Sequence, residues 1–89
     1  MPRVKKEVTI KILQGLHARP AGMIVQIVSK YNSHVTLAKA DMKVNAKSMM
    51  GILTLGAERN SVVTIEAQGD QAEQVLQELE TLLSTEELK

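Results

Sequence analysis

Val4, Val8, Ile10 and Ile12 alternate with charged or hydroxyl-bearing residues, and this period of two predicts a strand with one buried face. Gly15 breaks the pattern. From Ala18 through Ala21, Ile24, Val25 and Val28 to Tyr31 the apolar spacing changes to three and four, which predicts a helix. Asn32 and Ser33 form a turn. Val35 and Leu37 then alternate with Thr36 and Ala38, and Met42 and Val44 supply a short return strand across Ala40 and Asp41, so a hairpin is expected. Ser48 is placed to cap a short helix ending at Leu55, with Gly56 able to take the left-handed position that closes it. Val63, Ile65 and Ala67 alternate as a fourth strand that Gly69 ends. Asp70, three residues before Glu73, matches a capping box for a last helix with the stripe Ala72, Val75, Leu76, Leu79, Leu82 and Leu83. The final residues are expected to fray.

The resulting order is βαββαβα. Strands amphipathic on one face and helices amphipathic on one stripe predict an α+β fold, a two-layer open-faced β-sandwich. Its four-stranded, mostly antiparallel sheet is covered on one face by three helices. Residues 1–89 form one domain, with no repeat, linker or low-complexity segment. A chain this short buries only about 60 to 65% of its unfolded surface. With Tyr31 the single aromatic, the core must come from Ile, Leu, Val, Ala and Met.

Charge and composition exclude several functions. The net charge is +1, with acidic and basic residues interleaved and almost no aromatic to stack on bases, so nucleic acid is not an expected ligand. No run approaches the roughly 18 apolar residues that cross a bilayer. The N-terminus, charged through Lys6, has no apolar run of a signal peptide and cysteine is absent, so a cytoplasmic location is expected. Walker, GxGxxG, GxSxG and HExxH motifs are missing, so a carrier is expected and not a free-standing enzyme. His17 and His34 fall in different segments with no cysteine to join them, and neither a metal nor a cofactor is expected. His34 opens a strand without a motif around it and is expected to be a half-exposed packing residue.

One constellation carries chemistry: Gly15-Leu16-His17-Ala18-Arg19-Pro20-Ala21, where the first strand gives way to the first helix. With His17 at the N-cap, the amides of Ala18 and Arg19 are donors without partners inside the helix and can bind an anion. Pro20 lacks an N–H, costs nothing in the first turn, and stiffens it. Arg19 adds a planar, permanently charged fork suited to phosphate oxygens. Gly15 lets the backbone bend so that the ring faces outward. Histidine, with an unperturbed pKa of about 6.5, keeps a neutral, nucleophilic nitrogen at cellular pH. The plain alternatives are a histidine that only caps a helix and an arginine that is only solvated.

At these residues, and at Val44-Asn45-Ala46-Lys47-Ser48-Met49-Met50-Gly51 and Leu55-Gly56, the chain resembles HPr, the histidine-containing phosphocarrier family of the bacterial phosphoenolpyruvate-dependent sugar phosphotransferase system. The resemblance implies that phosphorylated enzyme I donates a phosphoryl group to Nδ1 of His17 and that sugar-specific enzyme IIA proteins accept it. It places Arg19 as the phosphate clamp and Ser48 as a regulatory phosphorylation site. That site implies an ATP-dependent kinase and phosphatase and, in some bacteria, a catabolite-repression regulator as partners. Related regulators keep the fold without the histidine, which His17 argues against. A nitrogen-related phosphorelay has a similar histidine motif and is an alternative, against which the Lys47 to Gly51 run stands. Gly22 and Met23 depart from the Thr, Ser or Ala common in relatives, and a glycine so early slightly weakens the helix.

Met49, Met50, Ile52, Leu53 and Leu55 point around most of the second helix, more than one packing stripe needs. Ile52 and Leu55 are the expected core positions. Met49, Met50 and Leu53, with Leu16, are expected to form an apolar docking patch near His17, methionine being adaptable to several partners. A phosphate on Ser48 would place negative charge beside this patch. A monomer is expected.

Overall fold

The computed structural model describes residues 2–88. Seven elements follow in chain order: β1 (Arg3–Thr9), α1 (Ala18–Ser29), β2 (Ser33–Lys39), β3 (Met42–Asn45), α2 (Met49–Thr54), β4 (Val62–Gly69) and α3 (Ala72–Leu83). The sheet order is β1-β4-β2-β3 and every pairing is antiparallel. The two-layer α+β architecture expected from the periodicity is therefore the one observed.

Register explains the layering. Val8 stands opposite Val63, and Leu37 opposite Ile65, so these side chains share the helix-covered face and are buried. Lys5 and Thr36 both stand opposite Glu66 and share the outer face. There Glu66 pairs with Arg3 and Lys43. Partial desolvation works to raise its carboxyl, but the hydrogen bond from Lys43 and the charges of Arg3 and Lys43 hold it below the ordinary range. Ile24 and Val28 of α1, Ile52 of α2, and Val75, Leu79 and Leu83 of α3 complete the core, each fully buried. Side chains of this kind contribute about 1.5 to 3 kcal/mol apiece on burial.

The C-terminal end of α1 is clasped to α3. Lys30 Nζ and Tyr31 Oη each donate to the Glu78 carboxylate at 2.6 Å. The bond from Lys30, then that from Tyr31, holds the Glu78 carboxyl below its ordinary value. Bonding to Glu78 in turn raises both Lys30 and Tyr31.

Four local expectations are corrected. β1 ends at Thr9 because its partner β4 begins at Val62; Ile10 and Ile12 stay buried, but Ile10 N donates to Ser61 O at 2.8 Å outside the ladder. α1 stops at Ser29 and α2 at Thr54, so Tyr31 lies beyond its helix and Leu55 is a C-cap, followed by Gly56 at φ 59° as expected. The capping box of Asp70 and Glu73 does not form: Gln71 occupies the N-cap and caps with no side-chain bond, its side-chain oxygen accepting from Asn32 N at 3.2 Å instead. His34 stands exposed on the outer sheet face opposite Gln68. No helix among the described residues is long and apolar enough to cross a membrane.

Candidate functional site

The turn before α1 is anchored on both sides of its glycine. Gly15 adopts φ 71°, its N–H donating to Ile12 O at 3.0 Å, and Leu16 N donates to Ala57 O at 2.9 Å. A β-carbon on Gly15 would lie 2.8 Å from Ala57 O and 2.9 Å from Glu58 Cα, so only glycine lets the segment after α2 press against the turn. The chain's last turn holds the same region, since Lys11 N donates to Leu83 O, Leu13 N to Glu86 O, and Arg59 pairs with Glu86 at 2.9 Å.

This anchoring sets Leu16 and His17 apart. Leu16 is 3% exposed and belongs to the core, which corrects its expected place in a surface patch: the bond to Ala57 pulls it inward. The next residue, His17, is exposed. It is the N-cap of α1 with φ −84° and ψ −171°, its carbonyl accepts from Ala21 N at 2.9 Å, and its imidazole makes no capping bond. Among the described residues, the amides of Ala18 and Arg19 donate to no protein acceptor, and no acidic residue stands in the first turn. Pro20 is buried beneath them. The Arg19 side chain is exposed and has no ion-pair partner among the described residues.

A surface cleft of about 320 Å³ opens beside the imidazole. Leu16, His17 and Ala18 form one wall; Leu53, Gly56, Ala57 and Glu58 form the other. The arrangement sets an outward imidazole beside two unengaged amides at the positive end of a helix, with Arg19 exposed in the same first turn. It can hold a compact anion against the ring.

Ser48 caps α2 as expected, its Oγ accepting from Gly51 N at 3.0 Å. Ile52 and Leu55 are buried, whereas Met49 is 37%, Leu53 38% and Met50 73% exposed. Leu53 is the one member of this group that lines the His17 cleft. Glu58, to which the sequence pattern assigned no role, also lines it, brought there by the contact of Gly15 with the segment after Gly56.

A family model described as the PTS HPr component phosphorylation site matches residues 4–85. The HPr-like protein Crh of Bacillus subtilis is 37% identical over 83 residues, 93% of this chain and 98% of its own. A crystal structure of the phosphocarrier protein HPr from Bacillus anthracis superposes with a TM-score of 0.89 at 35% identity, covering 93% of this chain and 99% of its own. A crystal structure of B. subtilis Crh, described as a swapped, intertwined dimer, gives a TM-score of 0.76 at 37% identity over 97% of this chain and 99% of its own. Matched along nearly its whole length, and through the residues that build the cleft, the chain belongs to the HPr family of phosphocarrier proteins.

Proposed function

We propose that the chain is a phosphoryl carrier of the sugar phosphotransferase system, working in the cytoplasm as a monomer and needing no cofactor or metal. Phosphorylated enzyme I docks on the face that includes Met49, Met50 and Leu53. The Nδ1 lone pair of His17 forms the new P–N bond as the donor's bond to phosphorus breaks, and the reverse exchange passes the group to an enzyme IIA. Arg19 and the amides of Ala18 and Arg19 meet the phosphoryl oxygens, and Pro20 stiffens the turn. The helix terminus contributes about 0.3 to 1 kcal/mol to a bound dianion. That modest figure suits a group that must leave again.

The observation that carries this reading is the exposed His17 ring beside two amides without acceptors. The test mixes the protein with enzyme I and labelled phosphoenolpyruvate. Acid-labile label is expected on the parent and on Ser48→Ala, and is lost in His17→Ala; label retained by His17→Ala refutes the assignment. Size-exclusion chromatography of the same samples checks the monomer, which the swapped dimer of Crh makes necessary.

A second role is supported by the likeness to Crh and by the Ser48 cap. A Ser-directed kinase and phosphatase modify Ser48, and the phosphate, favoured at a helix start, alters docking on the methionine patch and on a catabolite-repression regulator. If regulation were the whole function, only acid-stable, hydroxylamine-resistant phosphate would appear.

A further inference from the structure

Glu58 is the acidic residue in the wall of the His17 cleft. Its charge has no partner there. Among the described residues no Lys or Arg pairs with it, and the adjacent Arg59 is drawn away to Glu86. Its backbone is held in place as well: Glu58 N donates to Ser61 Oγ at 3.0 Å, and its Cα lies 2.9 Å from where a Gly15 β-carbon would be. An anion bound against the ring therefore has the free amides of the helix start and the exposed Arg19 on its own segment, and across the cleft a wall that carries the unpaired charge of Glu58.

From this opposition, and resting on the carrier reading above, we infer that Glu58 is a repulsive group that sets how readily His17 gives up its phosphoryl. The carboxylate raises the free energy of the phosphorylated dianion relative to the empty protein. It thereby pushes the group onward to an acceptor, while the helix terminus and Arg19 keep it from being lost before docking. In the onward step the P–N bond to His17 breaks as the acceptor's nucleophile bonds to phosphorus, with no other reactant.

A competition between two versions of the protein reads this directly. Equal amounts of parent and Glu58→Gln share a limiting quantity of phosphoryl through a trace of enzyme I until equilibrium, and native gel electrophoresis separates the four species by charge. Removing one exposed carboxylate beside a dianion should enrich the phosphoryl on Glu58→Gln by about two- to fivefold at low salt, and the preference should shrink toward parity in 1 M salt, where the screening length is about 3 Å. Glu58→Asp, which keeps the charge and is resolved from the parent by intact-mass spectrometry at neutral pH, should stay near parity with the parent. A merely structural role would not depend on salt or be rescued by aspartate. Parity for Glu58→Gln at low salt, or enrichment on the parent, overturns the inference and leaves the carrier intact. Absence of acid-labile phosphate from both proteins overturns the carrier reading and this inference with it.

Discussion

Replacing Gly22 by alanine should make the protein more stable, because nothing in the structure needs a glycine there. Gly22 is the fifth residue of α1, and its φ lies outside the positive range that side chains avoid. A β-carbon would meet only Met49 Sδ, at 4.0 Å, an ordinary van der Waals contact. Glycine inside a helix costs about 0.8 to 1.0 kcal/mol relative to alanine, so the gain should be close to 1 kcal/mol. For a domain of this size that corresponds to a rise in Tm of about 4 to 8 °C. Urea unfolding followed by circular dichroism measures it as a higher midpoint at unchanged slope. Gly15→Ala supplies the opposite sign, since φ 71° and the 2.8 Å approach to Ala57 O require the backbone to move. A Gly22→Ala protein with a lower midpoint would mean that the added methyl meets more than Met49 Sδ at 4.0 Å, and the reading of this helix position as open would fall.

Arg19→Glu should slow phosphoryl transfer at least tenfold, about 1.4 kcal/mol of transition-state stabilisation, with little change in stability because the side chain is exposed; unchanged single-turnover kinetics would remove it from the mechanism. Ser48→Ala removes the acceptor of the Gly51 amide and should cost about 1 kcal/mol in urea unfolding, within the 0.5 to 2 typical of lost caps, while His17 phosphorylation persists. Glu78→Gln tests the α1–α3 clasp through pH. The hydrogen bonds from Lys30 and then Tyr31 lower the Glu78 carboxyl in the folded state, so its contribution is complete above the ordinary value of 4.5 and fades as pH falls through the folded value. The variant should be less stable than the parent at pH 7 by about 0.2 to 1 kcal/mol, an exposed-pair magnitude, with the two curves converging in acid. A difference that persists at pH 2 would contradict this.

How far the sequence could be read followed from how local each cause is. The periods of β2, β4, α1 and α3 come from side chains within each segment, and Ser48 and Gly56 close α2 through bonds inside its own turns. His17 and Arg19 were legible for the same reason, since the N-cap, the proline and the free amides lie within a few residues. What escaped was set from far along the chain. Leu16 turns inward because of Ala57, forty-one positions later; the start of α3 moves by a residue because Gln71 accepts from Asn32; β1 ends where β4 offers no further partner. Glu58 gave no signal at all, because its meaning depends on which turn it packs beside.

The bonds that run from Lys11 and Leu13 to the carbonyls of Leu83 and Glu86, with the Arg59–Glu86 pair, have a practical bearing on how the molecule can be handled. Trimming the chain back past Glu86 would remove both the carbonyl that Leu13 N uses and the carboxylate that Arg59 pairs with, so the loop leading to the imidazole would lose two of its ties, and any kinetic comparison is safer with Glu86 kept.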